Sequence, residues 1–432
     1  MNALSISKGA HFYALIDYED VYVQPLILEA LKTRLPSTSY TIITSLSELP
    51  DPTSPFLQIG AYESLPFEHI MSHSASSLTN AYIIRKALIR KHYLTTTAQN
   101  WVTKHPTSIL ATNIKPSCDF ELDYAEFLDD ALVEAWELQA SFQNNEGKEP
   151  HEREWWILKP GMSDRGQGIR LFSTEEELQS IFEGWEAERP DSDDEDEEDS
   201  GSNHALASDK RVQEDSGDYI VTSHLRHFVA QPYVHPPLLL PSNPQKFHIR
   251  TYVLASGSLE VHVYRPMLAL FAATPYSPPW SSGSSPNTRD LSAHLTNTCL
   301  QTGSHDGAVE AFWDLPLSPS RKSEIFKQIC GTTGEIFEAA AKGMMVHFQT
   351  LPNAFELFGL DFLVDEQGVP WLLEVNAFPD FRQTGEELKT LVGGLWEGVM
   401  EIVVGPFFGI EIRKEENEKK MVLVKKLDLG RR

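Results

Sequence analysis

Cysteine, long apolar runs and positive charge are what this 432-residue chain has least of. Its three cysteines, Cys118, Cys299 and Cys330, are too few and too scattered for a disulfide framework or a zinc cluster, which suits a reducing compartment. The opening MNALSISKGAHFYALIDY lacks the long apolar region and small-residue cleavage site of a secretory signal, so a cytoplasmic protein is expected. Only residues 391–410 approach the length of a membrane span. Glu397 and Glu401 interrupt that run at helical spacing and Gly405-Pro406 break it, which predicts a packed amphipathic helix and no membrane partner. Lys and Arg number 36 against 62 Asp and Glu, a formal net charge of −26 that argues against nucleic-acid binding. The excess is uneven, because residues 186–218 hold 14 acidic and 3 basic side chains, or −11, leaving −15 for the rest.

What is present is ample material for a core: 41% apolar and 10% aromatic residues over a length that holds two or three packed subdomains. The opening reads as strand, helix, strand and a short apolar FLQIG near residue 58, spaced as α/β units, so residues 1–75 are expected to form a small α/β lobe. A basic helix, NAYIIRKALIRKHYL, follows, with Arg85, Lys86, Arg90 and Lys91 close together. Residues 107–144 read as mainly helical, and a strand starts at Trp155. Residues 186–218 are too poor in apolar groups to offset ordering entropy and are expected to be a disordered insertion, since strand-like sequence resumes at Tyr219 to Tyr233. Residues 274–290, rich in proline and serine, read as a flexible loop, and residues 413–432 as a charged tail that frays or forms a loose helix.

The most informative stretch is FELFGLDFLVDEQGVPWLLEVN, residues 355–376. Two apolar runs flank Asp365-Glu366-Gln367-Gly368, a turn cluster, and so read as an antiparallel hairpin. Alternation along a strand puts Glu374 and Asn376 on one face, and folding back about the turn brings Asp361 to it. Three oxygen donors that leave room for phosphate and water suit Mg²⁺; an ordinary solvated hairpin carries the same residues. In WWILKPGMSDRGQGIRLF, a strand ends in Lys159 and Gly161, Gly166 and Gly168 follow, a backbone that approaches a polyphosphate closely beside a fixed positive charge. It is neither a Walker A loop nor a dinucleotide fingerprint, and alone it also fits a plain turn. In KFHIRTYVLAS, Lys246, His248 and Arg250 share a strand face and should meet water or an anion. HLTNTCLQ sets His294, Thr296 and Asn297 among apolar neighbours, a pattern that a capped helix start would also show.

Taken in order, these pieces resemble the tubulin–tyrosine ligase family, whose catalytic body is an ATP-grasp fold. The lysine with a glycine-rich stretch is similar to residues 159–168, the KF-x-I-R strand to residues 246–250, and HLTN stands intact at residues 294–297. The closing FG-x-DF and W-L-x-E-x-N are matched by Phe358, Gly359, Asp361, Phe362, Trp371, Leu372, Glu374 and Asn376, and Arg85-Lys86 resembles an early Arg-Lys that reaches the nucleotide. The resemblance covers residues 80–404 and implies an α/β (α+β) ATP-grasp body behind a small α/β lobe. It implies ATP and Mg²⁺ as cofactors, with Lys86, Lys159, Gly166, Gly168, Lys246, His294, Thr296 and Asn297 around the nucleotide. Gln231, Pro232, Tyr233 and Val234 would offer backbone to adenine, Lys246 and Arg250 would face the phosphates as catalytic cations, and Asp361, Glu374 and Asn376 would hold the metal. The implied reaction is ATP-dependent ligation of a free amino acid to a protein carboxylate through an acylphosphate. The implied acceptor is the α-tubulin C-terminal tail, or another acidic protein, approached by Arg85, Lys86, Arg90, Lys91, Arg250 and Arg265. Glutamate or glycine as donor, and a nucleotide-binding interaction protein without ligation, remain alternatives. Two departures bear on them: His248 stands where the family usually has aspartate, and Leu270 where it tends to have an arginine.

Overall fold

The computed structural model describes residues 11–161, 163, 166–188, 225–281, 285–296, 308–381, 388–412 and 420–429. The expected disordered insertion lies for the most part outside these residues, as does Asn297. The chain divides into two compact units. The first comprises Met1–Lys115, Val234–Tyr276 and Ser292–Arg432, the second Pro116–Tyr233 and Ser277–Leu291. Residues 11–75 fall within the first unit.

The first unit opens with a parallel sheet in the order β2-β1-β3-β4, from β1 (Phe12–Asp17), β2 (Tyr40–Ile43), β3 (Phe56–Gly60) and β4 (Ser77–Thr79). Its larger sheet is built on β9 (Gln245–Ser256), twelve residues long and almost entirely buried. One edge of β9 pairs antiparallel with β13 (Phe355–Val364), which in turn pairs with β14 (Pro370–Ala377). The other edge is shared between β11 (Leu268–Pro275) and β10 (Glu260–Tyr264), with β12 (Val309–Ala311) beyond β11. Alternation along β9 sends Phe247, Ile249, Val253 and Ala255 into a core covered by the helix Pro319–Gly343. Tyr252 and Leu254 enter a second core with the helices Val23–Arg34 and Lys389–Val399.

The apolar run at residues 391–410 is a packed helix with a π turn at Met400–Val404. The span Lys389–Phe407 has the length and composition to cross a membrane, yet most of it is buried within the protein. Glu397 and Glu401, which interrupt the run, meet Arg34 of the helix Val23–Arg34 at 2.6 and 3.3 Å.

Three expectations are corrected. The basic helix is two helices, Lys86–Ile89 and Lys91–Lys104, because Arg90 between them is extended at φ −99°, ψ 123°. Residues 118–121, inside the stretch read as helical, form β5. The charged tail contains β15 (Met421–Lys426), paired antiparallel with β10, because Met421 is buried and Lys425 meets Glu338 of the long helix at 2.6 Å. Deleting residues 413–432 uncovers the β10 edge and an apolar contact, and is expected to lower stability by about 2–4 kcal/mol in urea unfolding; an unchanged midpoint would make the strand an ornament.

The second unit is an antiparallel sheet in the order β5-β8-β6-β7, with β5 (Cys118–Glu121), β6 (Trp156–Pro160), β7 (Arg170–Phe172) and β8 (His227–Pro232). The helix Glu175–Ala187 packs Leu178, Ile181, Phe182 and Trp185 into its core. The expected flexible loop is fastened here over its described end. Arg289 donates to Leu171 O at 2.6 Å and meets Glu177 at 3.2 Å, and Asn287 donates to Ser180 O at 2.7 Å. A buried guanidinium with these partners has no reason to leave them.

Candidate active site

On β9 the face that carries Tyr252 and Leu254 begins as Lys246, His248 and Arg250, so one strand passes from buried basic side chains to apolar core without changing face. Across the ladder Arg250 opposes Asp361 of β13. Its Nε donates to Oδ1 at 2.5 Å and an Nη to Oδ2 at 3.0 Å, a two-pronged bond between two buried side chains. Gly359 makes room for it: a Cβ there would stand 2.9 Å from Pro379 Cβ and 3.3 Å from Arg250 Cδ. Burial alone would raise the Asp361 carboxyl, but the Arg250 and His248 charges outweigh it and hold it well below the usual carboxylate range. Arg250 shows the converse, since Asp361 more than offsets burial and raises its already high value.

A β-bulge between Asp361 and Phe362 keeps Asp361 opposite Glu374. The amide Nδ2 of Asn376 donates to Asp361 Oδ2 at 3.3 Å and to Glu374 Oε1 at 3.2 Å. The hairpin thus brings together the three oxygen-bearing side chains predicted to meet. Lys91 Nζ lies 3.8 Å from Glu374 Oε2. His248 lies 3.4 Å from Asp361 by Nε2 and 2.5 Å from the Thr296 hydroxyl by Nδ1. His294 is buried beside Tyr276, whose hydroxyl bonds His235 Nδ1 at 2.6 Å. Burial first, and then the nearby Lys246 charge, hold His235 below its ordinary value, against an opposing pull from Glu366.

In the second unit Lys159 is buried at the end of β6 and its Nζ donates to Gln231 Oε1 at 2.8 Å, across the β6–β8 ladder. Gly166 and Gly168 adopt φ of 81° and 69°, backbone that side chains rarely take, and Gly161 N–H bonds His227 O at 2.7 Å. Pro232 ends β8 opposite Trp156, and the Tyr233 N–H is bound to Trp155 O at 2.8 Å. Val234 is buried and opens the next stretch of the first unit.

Several expected cations are placed differently. Arg85 is buried against Glu356 at 2.7 Å, with its guanidinium 3.8 Å over the Tyr62 ring, so it is a core ion pair and not an acceptor contact. Burial pushes the Glu356 carboxyl up to about 8 even though Arg85 and the Tyr82 N–H act to lower it. Sequence reading passed over Glu356; its signal was a lone acid on the apolar face of β13, opposite the face of Asp361. Lys86 is exposed at the start of its helix, and Lys91 lies near Glu374. Arg265 stacks on Trp313, 4.4 Å from the ring, and not on the strand face of Arg250. Leu270 is fully buried and opposes His248 and Val309. Burial pushes the Cys118 and Cys330 thiols up to about 12, so neither is a nucleophile at neutral pH.

Comparison with known proteins places this geometry. The model of the tubulin-tyrosine ligase family matches residues 80–410. The chain is 40% identical over 415 residues to a Schizosaccharomyces pombe protein named "Probable tubulin--tyrosine ligase", a match covering 96% of each. It is 42% identical over 417 residues to "Probable tubulin--tyrosine ligase PBY1" of Saccharomyces cerevisiae, covering 94% of this chain and 54% of that relative. Mouse "Probable tubulin polyglutamylase TTLL9" is 27% identical over 57% of this chain. Among solved structures it is similar to the C-terminal domain of K. lactis Pby1, described as an ATP-grasp enzyme interacting with the mRNA decapping enzyme Dcp2. That likeness has a TM-score of 0.70 and 36% identity, over 97% of this chain and 99% of that one. A matching family model across both units, together with the buried lysine, the polar strand face and the acidic hairpin in one order, means that this chain belongs to the tubulin–tyrosine ligase family and has an ATP-grasp fold.

Proposed function

We propose that the chain is an ATP-dependent carboxylate–amine ligase, and the convergence of Asp361, Glu374 and Asn376 beside Arg250 is the observation that carries this reading. The donor set fits Mg²⁺: two carboxylates and an amide are hard oxygen ligands, and rotating the Asn376 amide turns its oxygen to the same point. Among the described residues no group of three or more His, Cys, Asp or Glu could hold a metal. Bound by that donor set, Mg²⁺ would neutralise charge on the β- and γ-phosphates.

The substrate carboxylate oxygen attacks the γ-phosphorus and the bond to the β-bridging oxygen breaks, giving an acylphosphate and ADP. The amine nitrogen then attacks the acyl carbon, phosphate leaves with the C–O bond pair, and the nitrogen loses a proton. Lys246 and Arg250 line the strand face where the transferring phosphoryl group would gain charge, and Lys159 with the Gly166–Gly168 turn would hold the remaining phosphates. No nucleophilic side chain is required. His294, Thr296, Lys86 and the Gln231–Val234 backbone complete the proposed nucleotide contacts. The reading places the protein in the cytoplasm, where nucleotide and reduced thiols are both available.

The proposed acceptor is the acidic tail of α-tubulin or another acidic protein, in keeping with the names of the relatives. A second reading, nucleotide-dependent partner binding without ligation, is favoured by Leu270 lying sealed in the core where an acceptor-binding arginine was expected. Calorimetry with Mg-ATP tests the nucleotide site: Lys159→Met is expected to weaken binding about tenfold to a hundredfold, the loss of one or two charge-assisted bonds. Radiolabelled tyrosine, glutamate and glycine offered separately with Mg-ATP and purified tubulin test the acceptor. Incorporation of none of them by a preparation that binds Mg-ATP removes tubulin as substrate.

A further inference from the structure

The described residues of the second unit present four exposed large apolar side chains, Tyr124, Phe127, Val133 and Trp136, and all four fall within thirteen residues. Trp136 is 68% exposed. Single exposed apolar residues need no explanation, but a cluster of aromatics on one segment marks a contact surface. The segment is anchored, because Ala125, Leu128, Leu132 and Ala135 between the exposed positions, and Leu138 just after them, are buried in the core of the unit. Ala125 N–H donates to Glu186 at 2.6 Å, and the Tyr124 and Phe127 rings meet edge to face at 6.3 Å. Charge adds a second, independent observation: residues 116–147 contain nine Asp and Glu and no Lys or Arg. Asp123 is taken by Arg226 at 2.7 Å. Glu126, Asp130 and Glu134 are exposed and form no ion pair among the described residues.

We propose that this segment docks a basic, apolar stretch of a partner protein, with Tyr124, Phe127 and Trp136 as anchors and Glu126, Asp130 and Glu134 as the acidic rim. Charge complementarity selects the occupant: nucleic acid and anionic membranes would be repelled, and a second copy of this chain would set one acidic surface against another. Aromatic anchors inside a charged rim are the composition of binding hot spots. The proposal does not depend on the ligase reading.

The test uses the full chain and, as probe, a fluorescein-labelled 14-residue peptide of alternating arginine and leucine, followed by anisotropy. Companion peptides carry glutamate for arginine, or serine for leucine. The arginine–leucine peptide is expected to bind saturably and at least tenfold more tightly than either companion. Its binding should weaken at least tenfold in Phe127→Ser/Trp136→Ser and in Asp130→Lys/Glu134→Lys, and weaken with added salt. The altered side chains are exposed, so both variants should keep the parent melting curve and Mg-ATP affinity. Equal binding of the three peptides, or unaltered binding by Phe127→Ser/Trp136→Ser, overturns the proposal. Sedimentation showing a dimer in the parent that the same variant loses assigns the surface to a second copy and also overturns it.

Discussion

Replacing Arg250 by alanine is expected to destabilise the protein by about 3–5 kcal/mol, because it strips a buried carboxylate of its two-pronged partner and leaves the charge in the interior. Urea unfolding at neutral pH measures it. Arg250→Met with Asp361→Leu should recover most of the stability, since both charges leave together, while nucleotide turnover stays lost. A double variant as unstable as the single one would show that the pair is not what holds this part of the sheet. The same pair sets an acid limb. The folded Asp361 carboxyl lies below its ordinary value of 3.8, so its contribution is fully present above pH 3.8 and fades as pH falls through the lower folded value. In Arg250→Ala the corresponding part of the acid unfolding curve should flatten; a limb identical to the parent's would assign it to other carboxylates.

Glu374→Gln separates chemistry from folding. Glu374 is half-buried, faces Lys91 and the Asn376 amide, and supplies no core packing, so stability should stay within about 0.5 kcal/mol of the parent. Turnover with Mg-ATP should fall by about a hundredfold or more, and calorimetry should lose the magnesium dependence of ATP binding. Parent-like turnover in this variant would take Glu374 out of the proposed metal site and leave the hairpin as scaffold.

Residues near one another in sequence, or paired by strand alternation, declared the site early. Asp361, Glu374 and Asn376 needed only a turn and a two-residue period to meet, and the structure adds the bulge that keeps Asp361 and Glu374 in register. Lys246, His248 and Arg250 on one face followed from the same period. Long-range pairing was not legible. Arg85 read as a cation for nucleotide or acceptor until Glu356, 271 positions away, neutralised it, and Lys91 gave no hint of its closeness to Glu374.

The sequence alone determined the strand hairpin, the glycine turn after Lys159 and the helix that carries Glu397 and Glu401 from local period and turn chemistry, while the order of its motifs carried the family resemblance. Only the tertiary structure decided that Arg250 holds Asp361, that Leu270 is sealed in the core and that the charged tail contains a sheet strand. The physical reason is common to these cases. A charge or an edge strand takes its role from whichever partner removes it from water, and that partner is chosen by the fold across hundreds of residues, where no local pattern reaches.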